Sequence, residues 1–347
     1  MARPNLSTPS RATMSDVARA AGVSRTTVSF VLNGTEQADN VSDATKARVR
    51  RAADQLGYRP DARARALAAQ STDWYGLVTE IVTAPFAAHI IRGAQDEAWR
   101  QRRFLLIAPA GEGDRHDREA FERRAVEKLL EQRVGGVLYA ATWHRAVAVP
   151  DLLRELPTVM VNCFDEKGEL PCIIPDEVAG GRRATERLIQ AGHRRIGMIN
   201  LDPAIPAAIG RLQGWREAQE AAGLSHAEEL VVDGYATADG GYAAAQLLLG
   251  LPQPPTAIFC ANDRMAMGAY DAIKERGLRI PENVAVVGFD NYEVIAAYLR
   301  PGLTTVALPF EEMGALGVRT LDALTTGQPT PALRQMVDCP LLERRSV

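Results

Sequence analysis

Between Tyr75 and Gly288 the chain alternates short apolar runs with amphipathic stretches, and the series runs through twice. A short apolar run followed by an i, i+3, i+4 pattern marks a strand and its crossover helix. Repeated, the pair demands a doubly wound parallel sheet with helices on its faces. The first series predicts strands over 75–82, 104–108, 136–140 and 158–162, with helices over 87–100 and 121–132. The second predicts helices over 181–191, 211–222, 241–249 and 264–276, and strands over 196–200, 230–232, 257–261 and 284–288. Two such lobes imply a ligand in the cleft between them, beyond the carboxyl ends of the strands.

Polar residues fall at those ends. Asn162 closes one expected strand, and Asp176 leads toward the 181–191 helix. Arg211 opens the 211–222 helix, Asn262 and Asp263 follow the 257–261 strand, and Asp290 follows the 284–288 strand. Amides, carboxylates and one guanidinium converging on a cleft can bond hydroxyls bidentately, as a sugar requires. Helix capping is an equal alternative for Asp176 and Asp263, whereas position favours a ligand contact for Arg211, Asn262 and Asp290.

The first 70 residues are of another kind. They carry 11 Lys and Arg against 6 Asp and Glu, while the remainder carries 29 against 37. A basic head on an acidic body is the electrostatic footprint of a nucleic-acid module joined to something else. Met14, Val17, Ala18 and Ala21 share one helical face, with Thr13 or Ser15 as cap. Gly22 supplies the tight turn. Ser24 can cap a second helix over 25–32, with Val28, Val31 and Leu32 turned inward. Two short helices about a glycine turn make a helix-turn-helix, whose second helix enters the major groove. Its outward residues are Ser24, Arg25, Thr26, Thr27, Ser29 and Phe30, and Arg25 can pair bidentately with guanine. A third helix over 43–56 is capped by Ser42, with Val49, Ala52, Ala53 and Leu56 as its inner stripe. Residues 61–72 read either as an ordinary linker or as a hinge helix of small residues whose Leu67 wedges into the minor groove.

At this point the chain resembles the LacI/GalR family of bacterial transcriptional regulators. The head carries the resemblance in Thr13–Ala18, Ala21–Ser24, Thr27–Ser29, Val31–Asn33, Val41-Ser42, Leu56–Tyr58 and Ala64–Ala68. The body carries it in Gly192–Gly197, Gly210–Trp215, Pro255–Phe259, Asn262–Gly268, Val286–Asn291 and Leu303–Val306. The resemblance implies a helix-turn-helix headpiece over 1–60, a hinge over 61–72, and a two-lobed effector and dimerisation domain over 73–347, similar to periplasmic binding proteins. It implies base contacts from Arg25 and Thr26, with Thr27 on the same helix. Phosphate contacts follow from Thr13, Ser24, Ser29, Asn33 and Tyr58, and a minor-groove contact from Ala64 and Leu67. Effector contacts are implied for Phe86, Asn162, Asp176, Arg211, Asn262 and Asp290, with Tyr235 near the usual cleft aromatic. The partners implied are a pseudo-palindromic operator, a small effector, most simply a carbohydrate, and a second copy of the chain. Departures fall at Asp61, where asparagine is usual, at Phe30, and at Ala87, where a second aromatic is usual.

Other classes fit poorly. Cys163, Cys172, Cys260 and Cys339 form no CxxC pair and read as buried apolar residues. The five histidines show no HxxxH spacing, and neither a P-loop, a GxGxxG nor a GxSxG is present. No cofactor and no enzyme activity are expected. No apolar run suits a signal peptide or a membrane span, which points to the cytoplasm.

Overall fold

The computed structural model describes residues 12–33, 36–59, 72–80, 82, 85–110, 115–329 and 332–347. It divides between Thr72 and Asp73 into two compact units.

The first unit holds three helices, α1 (Met14–Ala21), α2 (Arg25–Asn33) and α3 (Asp43–Gln55), with a 3-10 turn over Glu36–Asn40. Thr13, not Ser15, caps α1. Its hydroxyl accepts from Asp16 N, and the Asp16 carboxylate accepts from Thr13 N at 2.9 Å, closing a capping box. Gly22 follows at φ 62°, a conformation glycine adopts without a Cβ penalty. Val17, Val28, Val31, Val49, Ala52 and Ala53 form the core. Leu56 is not part of it: α3 ends at Gln55, and Leu56 is 41% exposed on the departing turn. The expected hinge over 61–72, with Ala64 and Leu67, lies outside the described residues but for Thr72.

The second unit is two α/β lobes. One sheet has the order β11-β5-β4-β3-β1-β2, built from β1 (Trp74–Thr79), β2 (Phe104–Pro109), β3 (Val137–Val147), β4 (Thr158–Asp165), β5 (Cys172–Pro175) and β11 (Arg334–Val337). All its pairings are parallel. The other has the order β12-β10-β9-β8-β6-β7, from β6 (Ile196–Asn200), β7 (Val231–Asp233), β8 (Ala257–Cys260), β9 (Ala285–Asp290), β10 (Thr304–Ala307) and β12 (Leu341–Leu342). Only β12 runs antiparallel to its neighbour. Helices α4 (Pro85–Arg100), α5 (Arg115–Glu131) and α11 (Phe310–Thr326) clothe the first sheet. Helices α6 (Glu177–Gln190), α7 (Pro206–Ala221), α8 (Ala238–Leu249) and α9 (Asp263–Glu275) clothe the second, and the short α10 spans Glu293–Ala296. The chain crosses between lobes three times: after β5, between β10 and α11, and between β11 and β12.

Three departures from the sequence expectation matter for the cleft. The 211–222 helix starts five residues earlier, so Arg211 sits in its second turn. β3 continues past Ala140 to Val147, and its pairing with β4 slips between Ala140 and Arg145. β4 runs past Asn162 to Asp165, so Asn162 faces that irregularity rather than a strand end. The four cysteines are buried and free. Among the described residues no helix is long and apolar enough to cross a membrane.

Candidate nucleic-acid interface and interlobe cleft

In the head, Ser24, Arg25 and Thr26 are exposed at the start of α2, and Thr27, Ser29 and Phe30 are half-buried. The Ser24 hydroxyl accepts from Thr27 N at 3.0 Å and so fixes the first turn of α2. Asn33 donates to Ser29 Oγ at 3.0 Å, and Tyr58 packs against the apolar core. Thr13 is exposed at the start of α1. The hydroxyl groups thus shape the helices, while Arg25 and Thr26 are left open to a partner. Arg48, Arg50 and Arg51 add exposed positive charge on α3.

In the body, the irregularity in β3 builds one wall of the cleft. Asn162, held at φ 57°, donates from Nδ2 to Ala141 O at 3.1 Å, and its buried Oδ1 has no hydrogen-bond partner among the described residues. Glu80, at the end of β1, accepts from Thr142 Oγ1 at 2.9 Å and from Arg145, which pins the irregular segment. His144 is buried beside it and lies 3.4 Å from Glu177 Oε1 of the other lobe.

Arg211 is the centre of the opposite wall. Its Nε donates to Glu177 Oε2 at 2.7 Å, its Nη1 donates to Ala261 O, and Asp290 Oδ1 lies 3.6 Å away. The guanidinium stacks on Phe289, with Cζ 3.7 Å from the ring centroid. Burial favours the neutral forms of Glu177 and Arg211, but each outweighs that for the other. The Glu177 carboxyl is therefore held below its ordinary range, with His144 helping, and the Arg211 guanidinium above its own. Asp290 differs. Burial and then the Glu177 charge push its carboxyl up to about 7, against the pull of Arg211 and Arg264.

The remaining expected residues fall as follows. Asp290 sits at φ 105° and Tyr235 at φ 51°, both at strand ends, where such backbone marks functional positions more often than chance. Tyr235 is 65% exposed. Asn262 caps α9, with Oδ1 accepting from Met265 N at 2.8 Å, and its Nδ2 donates to Ala236 O at 3.3 Å. Asp176 caps α6, accepting from Ala179 N at 2.9 Å. Asp263 caps nothing: fully buried, it accepts from Thr305 Oγ1 and Tyr292 N, each at 2.6 Å, and braces the turn after β9. Phe86 packs edge-on to Tyr292, with centroids 5.9 Å apart, so an aromatic pair joins the lobes.

Two cavities flank this arrangement. One, of about 290 Å³, is lined by Phe86, His89, Asp290, Tyr292 and Phe310. The other, of about 550 Å³, is lined by His144, Asp176, Glu177, Ile209, Gln213 and Met336. Glu177 faces one and Asp290 the other, with Arg211 between them. Sequence reasoning missed His144, Glu177 and Tyr292. The adjacent Asp176-Glu177 pair was the available signal, since acidic residues gather at helix starts.

Residues 13–61 match the model for bacterial regulatory proteins of the lacI family, and residues 185–347 match that for a periplasmic binding protein-like domain. The HTH-type transcriptional regulator GalR of Escherichia coli (strain K12) is 35% identical over 337 residues, 97% of this chain and 96% of that protein. A solved complex of the transcriptional regulator CelR with cellobiose is 35% identical, with a TM-score of 0.67 over 97% of this chain and 100% of that one. The Lac repressor dimer bound to operator and the anti-inducer ONPF superposes with a TM-score of 0.80 at 28% identity, covering 96% of this chain and 98% of that one. Head, two-lobed body and near full-length similarity agree, and the chain belongs to the lacI family of bacterial regulatory proteins.

Proposed function

We propose that this protein is a transcription repressor that binds a pseudo-palindromic operator as a homodimer and changes its grip when a sugar occupies the interlobe cleft. The observation that supports the sugar reading is the approach of Arg211 to Asp290, which is held at positive φ and lines a cavity beside Phe86; Asn162, also at positive φ, is assigned to the same cleft. Phe86, Asp176, Tyr235 and Asn262 complete the proposed effector set. A sugar shifts the balance between operator-bound and released states only through its differential affinity for the two. The protein acts in the cytoplasm, where the operator is, and returns the sugar unchanged.

On DNA, Arg25 and Thr26 read bases, with Thr27 beside them. Thr13, Ser24, Ser29, Asn33 and Tyr58 hold phosphates, and Ala64 and Leu67 are assigned to the minor groove on family resemblance alone. For the second copy we assign the edge strand β2 and its neighbours, where Trp99, Phe104, Ile107 and Phe121 are each exposed and Trp99 packs on Phe104.

The test is fluorescence anisotropy of the purified protein on a randomised pool of palindromic duplexes, with and without sugars. Enrichment of one pseudo-palindrome, steep weakening with salt and a sugar-dependent shift support the reading. On that site Arg25→Ala is expected to cost about 1–3 kcal/mol and to relax discrimination at the contacted base pair. Absence of any preferred site, with and without sugars, overturns operator binding.

A further inference from the structure

His144 faces Glu177 across the cleft. It is 9% exposed, and neither ring nitrogen has a hydrogen-bond partner among the described residues. Glu177 Oε1, also buried, accepts no well-formed hydrogen bond among the described residues: His144 Nδ1 faces it at 3.4 Å, an ion-pair distance without hydrogen-bond geometry. Buried polar atoms are nearly always bonded, and leaving one without a partner is costly. Two orphans from opposite lobes, side by side, call for a shared partner.

Both line the cavity of about 550 Å³, a volume within the range of small-ligand sites. Its other walls are largely apolar, with Pro206, Ile209 and Met336 among them, and Ile209 and Met336 are exposed. Glu177 is held ionised by Arg211, so its free oxygen only accepts. The two ring nitrogens of an imidazole can serve a hydroxyl as donor or as acceptor, according to tautomer. Two adjacent hydroxyls match this pair: one donates to Glu177 Oε1, and its neighbour exchanges a bond with His144. The C–H face of the same ring would lie on Ile209 and Met336.

We propose that His144 and the free oxygen of Glu177 are a specificity-determining pair, which reads a vicinal diol of the effector. The inference rests on the carbohydrate reading above. The other Glu177 oxygen holds Arg211, which approaches Asp290, so a diol bound here is tied to the second cavity by one chain of charges.

The experiment uses the full chain on its selected operator, with D-ribose, D-galactose, cellobiose and their singly deoxygenated analogues as probes. Wild type is expected to discriminate against the analogue lacking either hydroxyl of one vicinal pair. In His144→Ala the parent sugar is expected to act about tenfold more weakly, and that discrimination is expected to collapse. His144→Gln, which keeps a donor and an acceptor, is expected to restore part of both. A purely structural loss would weaken all sugars alike and leave the order among analogues intact, and that result overturns the inference while sparing the carbohydrate reading. Wild type that answers to none of the sugars overturns that reading and the inference with it. Operator affinity without sugar reports folding on the same samples, and if His144→Ala fails that check the comparison is made on His144→Gln, where wild-type discrimination likewise overturns the proposal.

Discussion

Two acidic residues near Arg211 behave oppositely because of what surrounds them. Glu177 receives a hydrogen bond from the guanidinium and stays ionised, while Asp290 has Arg211 at 3.6 Å and the Glu177 charge against it. Its carboxyl, raised to about 7 in the folded chain, returns to the ordinary 3.8 on unfolding. Between those values the folded form holds a proton that the unfolded form has shed. Its contribution to stability is therefore present at low pH and lost as pH rises from about 4 to about 7. Asp290→Asn should remove that part of the slope, so its urea midpoint should fall less than that of wild type between about pH 5 and about pH 8. Equal changes in the two proteins would place the raised carboxyl elsewhere. Of the residues in this cluster, Asp290 was singled out from sequence as the end of an apolar strand, and Arg211 as a helix start although its helix begins five residues earlier. His144 was not, because its environment is made by a pairing slip in β3 and by a helix of the other lobe, neither of which leaves a local pattern.

Arg211 reaches Glu177 because α6 and α7 approach closely, and glycine on both helices permits it. A Cβ on Gly181 would lie 2.4 Å from Arg211 O, and one on Gly214 would lie 2.2 Å from Val178 O. Gly214→Ala is thus expected to push the helices apart, at a cost of about 1–3 kcal/mol, and to weaken the sugar response as Arg211 moves from Glu177. Urea unfolding and operator release would show both effects, and a variant as stable and responsive as wild type would refute the close-approach argument. The elements read well from sequence were those with a clean period: β6 over Ile196–Asn200, and α2, which extends one residue past its expected end. Those missed lie mostly at the end of the chain. β5 and β10–β12 have only two to four residues, too few to show alternation. α11 carries Gly314, Ala315 and Gly317 against the lobe it covers, so small residues replace the apolar stripe that announces a helix.

For the molecule as a whole, the two-lobed class was legible because the strand–helix alternation is long, whereas the route of the chain between lobes was not. Crossovers after β5, after β10 and after β11 are decided by which sheet edge stands open, a property no local window contains. The assembled state makes its own prediction. Trp99 is 69% exposed and packs edge-on to Phe104, with centroids 5.6 Å apart, beside an edge strand. Trp99→Lys should shift the protein from dimer to monomer in sedimentation and reduce operator affinity. A variant that sediments as wild type would assign the dimer contact to another face.

The last two strands bear on how the protein is made. β11 closes an edge of one sheet and β12, three residues later, an edge of the other, while Ser346 bonds Thr304 N and Val286 O in the second lobe. During synthesis neither sheet can be finished before the segment 334–347 has left the ribosome. A chain released before Arg334 would therefore carry two unfinished edges, at β5 and at β10, each open to pairing with a neighbouring polypeptide. Both sheets thus depend on the segment 334–347, and a chain lacking it is expected to present two open edges rather than one finished lobe.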